Sequence, residues 1–239
     1  MNPTSRRDQA REQTLADIKA AARQLLREHG PTGVQLRPVA REVGMTAPAL
    51  YRYVDSLDAL VELMCVDAFD ELCTAMEVAR DAQPGAAVMD RLAAASRAFR
   101  TWAIANPAEF GLVFSTPLRA PHDPTNPTPA QQGSQRFGGI FSALFLELWM
   151  SAPFDVPAPD ELAPGLVEGL FQLGQWLTEV AEADFPPGAL VAFIDAWTRL
   201  HGAVALETFH HLEWAMPDCS PLFEQTLNEI TKAWTTPPR

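Results

Sequence analysis

The stretch Val39-Ala40-Arg41-Glu42-Val43-Gly44-Met45-Thr46-Ala47-Pro48-Ala49-Leu50-Tyr51-Arg52-Tyr53-Val54 decides the architecture of the N-terminal part. Leu36, Val39, Ala40 and Val43 recur at helical spacing until Gly44 stops the run. Thr46 then offers an N-cap, and Pro48 falls in a first turn, where backbone N–H groups lack partners anyway. Leu50 and Val54 share one face at i, i+4, and the helix closes near Asp55. Pro38 sits equally well in the first turn of the preceding helix. Working outward, Leu15, Ile18, Ala22, Leu25 and Leu26 mark one face of a longer helix that stops at Gly30-Pro31. Downstream, Ser56 caps another helix with Asp58 in its first turn, running through Leu60, Met64, Phe69 and Met76 to about Arg80.

Two short helices about a turn containing glycine form a helix-turn-helix pattern, in which the second helix enters the DNA major groove. Its outward residues suit groove reading, with Thr46, Ala47 and Pro48 at the N-terminus, Arg52 for a base edge or phosphate, and the hydroxyls of Tyr51 and Tyr53. Charge supports the reading. The chain of 239 residues carries 18 Lys+Arg against 30 Asp+Glu, a net −12. Residues 1–60 nevertheless hold nine basic residues against seven acids, leaving −14 on the rest. A small basic module can bind a polyanion locally while an acidic body repels it. Aromatics divide likewise: only Tyr51 and Tyr53 precede residue 61.

The motif, with the Ala-rich helix before it and Ser56-Leu57-Asp58-Ala59-Leu60 after it, resembles the DNA-binding domain of TetR-family transcriptional regulators over roughly residues 12–62. That resemblance implies an all-α homodimer, with a DNA-reading domain at 1–56 and a helical effector-binding and dimerisation domain at 57–239. It implies a ligand-responsive regulator, usually a repressor, bound to a pseudo-palindromic operator in double-stranded DNA and released by a small effector. Gln35 stands where the family commonly has a Ser or Thr cap that touches phosphate, with Arg37 beside it, and Leu57 stands where Lys or Arg commonly meets the backbone. Val54 replaces a usual Phe. Arg6, Arg7 and Arg11 of the N-terminal arm are expected to offset the lost backbone contacts.

In the body, helical periodicity continues from Pro84 to Ala105, over a short segment with Phe110 and Phe114, and from Phe137 to Met150. It returns from about Glu161 to Ala183, with a bend at Pro164, then from Pro187 to Leu212 and from Ser220 to Trp234. The prolines within 115–133 imply a mobile loop. No alternating pattern suggests a strand. Trp102, Phe110, Phe114, Phe141, Phe145, Trp149, Phe171 and Trp176 supply an excess of large aromatics, from which a pocket for a small apolar effector is expected; each could equally be core. Trp197-Thr-Arg-Leu-His201-Gly202-Ala203 resembles the C-terminal domain type named WHG in one branch of the family. Gly202 and Ala203 on an otherwise bulky helix allow close helix approach, so Trp197, His201, Gly202, Ala203 and Leu206 are the candidate dimer seam, with an internal helix crossing as the alternative.

Other chemistries find little support. Glu207 and His210 match the Glu-x-x-His spacing of di-iron bundles, but those need two such motifs and two further carboxylates. No phosphate-cradling loop, dinucleotide fingerprint or nucleophile elbow occurs, so no metal, cofactor or enzyme activity is expected. A helical metalloenzyme and an interaction module without DNA binding remain the competing readings. Cys65, Cys73 and Cys219 read as reduced core thiols. The charged N-terminus lacks a signal-peptide segment, and no stretch approaches the roughly 18 uncharged apolar residues of a membrane helix. A cytoplasmic protein with no membrane partner is therefore expected.

Overall fold

The computed structural model describes residues 6–114, 126–171, 173–175 and 185–237. Among these no strand occurs, and the architecture is all-α. The chain divides into two compact units, one comprising 1–74 and 105–138, the other 75–104 and 139–239.

The first unit begins with α1 (Arg6–His29), which buries Ile18, Ala22, Leu25 and Leu26, the face read from spacing. Helix α2 (Leu36–Glu42) buries Val39 and Ala40. It ends in a Schellman motif: Met45 N donates to Ala40 O at 2.8 Å and Gly44 N to Arg41 O at 3.1 Å. Gly44 takes φ +65°, a conformation that costs a side-chain-bearing residue about 1 kcal/mol or more. Helix α3 (Ala47–Leu50) runs on into turns through Tyr53, with Leu50 and Val54 buried beneath it. Thr46 holds the N-cap position of α3 and Gln35 that of α2, but neither side chain makes a capping hydrogen bond, so both polar groups stay outward. Ser56 does cap the next helix, α4 (Leu57–Asp81), accepting from Ala59 N at 3.0 Å.

Two further helices complete this unit's packing. Helix α6 (Pro107–Phe114), which follows α5 (Val88–Ala105), brings Phe114 against Phe69 and Phe137, with Phe110 packed on Phe114. Helix α7 (Pro129–Ser151) starts eight residues earlier than its apolar run suggests. Thr128 and Gln131 form a capping box that periodicity alone overlooks: Gln131 Oε1 accepts from Thr128 N at 2.9 Å, and Thr128 Oγ1 from Gln131 N at 3.3 Å. The remainder of the expected proline-rich loop, 115–125, lies outside the described residues. Gly133 meets α4 closely: a Cβ there would lie 2.7 Å from Phe69 Cβ.

The second unit is built from α5, the later part of α7, α8 (Leu166–Gly169), α9 (Pro187–Thr208) and α10 (Ser220–Trp234). Phe145 is fully buried at its centre, with ring centroids 5.0 Å from Phe193, 5.2 Å from Trp234 and 6.2 Å from Phe154. Burying an aromatic side chain of this size stabilises by roughly 1.5–3 kcal/mol. Arg100 of α5 clasps Glu207 of α9 through two bonds of 2.6 Å, also donating to Ser220 Oγ at 2.8 Å. Helix α9 stops four residues before the expected Leu212. Its Schellman motif places His210 at φ 60°, with His211 N donating to Leu206 O at 2.8 Å. Only short helical turns are described between Pro159 and Gln175, and the rest of the expected helix, 176–183, falls outside the described residues.

One helix bears on the expectation that no uncharged apolar stretch is long enough to span a membrane. Pro187–Thr208 is long and apolar enough, by length and composition, to cross a membrane. Leu190, Phe193, Ala196, Leu200 and Val204 are buried within the protein, and a third of the apolar window is buried in all. Asp195 and Arg199 interrupt the run without making it polar overall, so a search for uncharged stretches passes over it.

Candidate nucleic-acid interface

The head presents the expected residues on its surface. Gln35, Arg37, Thr46, Pro48, Tyr51 and Arg52 are exposed, as are Arg6, Arg7 and Arg11 on α1, while Ala47 and Tyr53 are half-buried. The physical cause is the pinning of α3 by Leu50 and Val54: with those two turned inward, Pro48 and Arg52, each about 200° around the helix from Leu50, must face outward, while Ala47, three residues before Leu50, falls between core and surface. A depression of about 600 Å³ lies beside the helix, lined by Gln35, Arg37, Tyr51 and Ser56 among others. Leu57 borders it without the charge that Lys or Arg would bring.

Spacing alone does not show how Arg11 is held. Its guanidinium stands over the Tyr53 ring, 5.4 Å from the centroid, and donates to the Arg52 carbonyl at 3.4 Å. The arm residue therefore braces the end of the candidate reading helix from α1.

The described members of the eight aromatics expected to line an effector pocket are shared between the two units. Phe110 and Phe114 pack in the first unit. Trp102, Phe141, Phe145 and Trp149 lie in the second, Phe171 is 63% exposed, and Trp176 falls outside the described residues. Helical spacing tells which face of each helix is apolar, whereas the partner of that face is settled only in three dimensions. The candidate seam divides similarly. Trp197 and His201 turn inward: Trp197 meets Phe141 edge-on at 5.6 Å, and His201 stacks on Phe99 at 6.0 Å. Burial pushes the His201 imidazole below its ordinary value. On the outward side of α9, a Cβ at Gly202 would meet nothing within 4 Å, Ala203 is half-buried and Leu206 is 43% exposed.

Glu207 and His210, the pair with di-iron-like spacing, are both engaged elsewhere. Glu207 is occupied by Arg100, and His210 serves as a helix terminator with Nδ1 2.8 Å from Glu213 Oε1. Among the described residues no group of three or more His, Cys, Asp or Glu side chains could hold an ion.

An N-terminal helix-turn-helix joined to a helical body defines a DNA-binding transcriptional regulator, and comparison with known proteins specifies which kind. Residues 18–64 match the family described as bacterial regulatory proteins, tetR family, and residues 92–230 match the tetracyclin repressor-like, C-terminal domain. The HTH-type transcriptional regulators Rv1816 of Mycobacterium tuberculosis and Mb1846 of Mycobacterium bovis are each 35% identical over 207 residues, covering 85% of this chain and 84% of theirs. The crystal structure of the regulatory protein SCO4313 superposes with a TM-score of 0.71 at 25% identity, covering 96% of this chain and 100% of that one. FadR from Bacillus subtilis, crystallised in complex with stearoyl-CoA, shares the fold at a TM-score of 0.59 and 14% identity, over 91% of this chain and 98% of its own. The chain belongs to the TetR family; it is a transcriptional regulator and not an enzyme.

Proposed function

We propose that this regulator acts as a homodimeric repressor in the cytoplasm, reading a pseudo-palindromic operator through α3 and leaving it when a small apolar effector binds the helical body. Residues 1–56 carry the reading role, and residues 57–239 carry effector binding and assembly. The observation that carries the reading is the exposed row Thr46, Pro48, Tyr51 and Arg52 on a helix anchored by the buried Leu50 and Val54. Arg6, Arg7 and Arg37 add positive charge for phosphates, and two heads on a two-fold dimer would meet successive major grooves about 34 Å apart.

The test is a gel-shift and titration series on DNA flanking the coding sequence. Arg52→Ala and Tyr51→Ala should each lose about 1–3 kcal/mol of operator affinity with an unchanged melting temperature. Equal binding by wild type and Arg52→Ala sinks the assignment of α3. For the effector half, an apolar compound that raises the melting temperature must lower operator affinity by the linked factor. Saturating compound with no loss of DNA binding refutes that half alone.

A further inference from the structure

In the first unit a cleft of about 260 Å³ opens beside α1, α4 and α6, and none of the eight candidate pocket aromatics lines it. Met64 and Ala68 of α4 and Leu112 of α6, all buried, give it an apolar wall. Ala16 and Ala20 of α1, whose side chains are too short to fill it, stand on its exposed side. Lys19, Arg23, Asp67 and Glu109 supply the polar part.

Glu109 is the unusual member. Only 3% exposed, it accepts through Oε1 from Arg23 Nε and from Arg27 Nε, the latter at 2.7 Å. Its other oxygen, Oε2, is buried with no hydrogen-bond partner among the described residues. An ionised oxygen taken out of water and left without a donor costs more than a neutral one, so a carboxylate in this state is a site for a donor. The surrounding charges restrict what that donor can be. Lys19 pairs with Asp67 at 2.7 Å, Arg23 reaches Glu71 as well as Glu109, and Arg27 shares Glu109. Three cations and three carboxylates balance, leaving no net charge for an ionic ligand to neutralise.

We propose that this cleft is a ligand site for a small uncharged amphiphile, whose O–H or N–H donates to Glu109 Oε2 while its apolar body lies on Met64, Ala68 and Leu112. The sealed oxygen becomes accessible as the long Lys19 and Arg23 side chains, each about a quarter exposed, yield to the ligand. The volume sits just under the 300–1,000 Å³ usual for drug-sized ligands, which favours a short chain or a single ring.

The experiment follows the Met64 methyl resonance in the full-length protein carrying 13C-methyl methionine, assigned through Met64→Leu. The probes are 1-hexanol and its isomer dipropyl ether, which has the same atoms and no donor, together with hexylammonium and hexanoate. Expected is saturable binding of 1-hexanol, about tenfold or more tighter than the ether, as a hydrogen bond to a charged acceptor provides, and tighter than either ion. Ala20→Leu, at an exposed helical position, should remove the Met64 response without lowering the melting temperature. Glu109→Gln should erase the preference for alcohol over ether. Should Glu109→Gln fail to fold, the wild-type ranking and Ala20→Leu decide the matter. Equal affinity for alcohol and ether, tighter binding of either ion, or a Met64 response that survives Ala20→Leu each overturns the proposal. None of these readouts involves DNA, so failure here leaves the repressor reading standing.

Discussion

Gly202 sits within the 22 residues of α9, where a Cβ would meet nothing within 4 Å of its own chain. In an isolated chain, Gly202→Ala should therefore stabilise, because glycine in a helix interior is about 0.8–1.0 kcal/mol worse than alanine. If a partner's helix lies against this face, two-fold symmetry brings position 202 of both copies into one seam, and every added atom counts twice. Overpacking costs about 1–3 kcal/mol per site, so Gly202→Leu should weaken the dimer by roughly 2–6 kcal/mol. At 1.4 kcal/mol per decade, that is about 30- to 20,000-fold in the dimer dissociation constant. Sedimentation equilibrium over a dilution series measures the constant, while melts at fixed concentration separate assembly from helix stability. The expected signature is opposition: a more stable helix and a weaker dimer for Gly202→Ala, and monomer at micromolar concentration for Gly202→Leu. A dimer constant unchanged by Gly202→Leu, together with a raised melting temperature, would mean that the face looks into water and that the seam is elsewhere.

Three further expectations rest on single contacts. Arg11→Ala removes the cover over Tyr53 and should lower operator affinity severalfold without changing its salt dependence; a slope reduced by about one would show a phosphate contact instead. Phe145→Ala opens a cavity among Phe154, Phe193 and Trp234, and urea unfolding should show a loss of about 3–5 kcal/mol, whereas a loss under about 1 kcal/mol would mean that this aromatic cluster is loosely packed. His201 has a folded value depressed by burial, so its contribution is fully present above the unfolded value near 6.5 and is lost as pH falls through that value toward the folded one. The stability of His201→Phe should accordingly fall less than wild type between pH 7.5 and 5.5, and parallel curves would refute the assignment.

The head was legible because its signals are local. Gly30 and Gly44 both take positive φ where the run of apolar residues stops, and the Ser56 hydroxyl oxygen accepts an N–H from the helix it precedes. The start of α7 was equally local, since Thr128 and Gln131 stand three apart, but proline density in the same stretch masked it. What could not be read were pairings across distance. Glu109 meets Arg23 and Arg27 more than 80 residues away, and Arg100 meets Glu207 across 107. Each of these charges, seen in sequence, is an ordinary solvated residue on a helix. Trp197 and His201 show the same limit from the apolar side: their spacing named a face, and only the fold says that Phe99 and Phe141 cover it.

The buried thiols bear on how this protein can be labelled. None of the three cysteines, all buried, is in a disulfide, and burial pushes the Cys65 thiol up to about 12. At pH 7.5 Cys65 is therefore almost wholly protonated, whereas about one ordinary thiol in ten is ionised. Burial raises the Cys219 thiol as well. A cysteine introduced at an exposed position such as Gln24 of α1 would then react with a maleimide dye far ahead of the native three. A fluorophore or spin label can thus be set on the head with the wild-type cysteines left in place, and the distance between the two heads of a dimer becomes a spectroscopic observable.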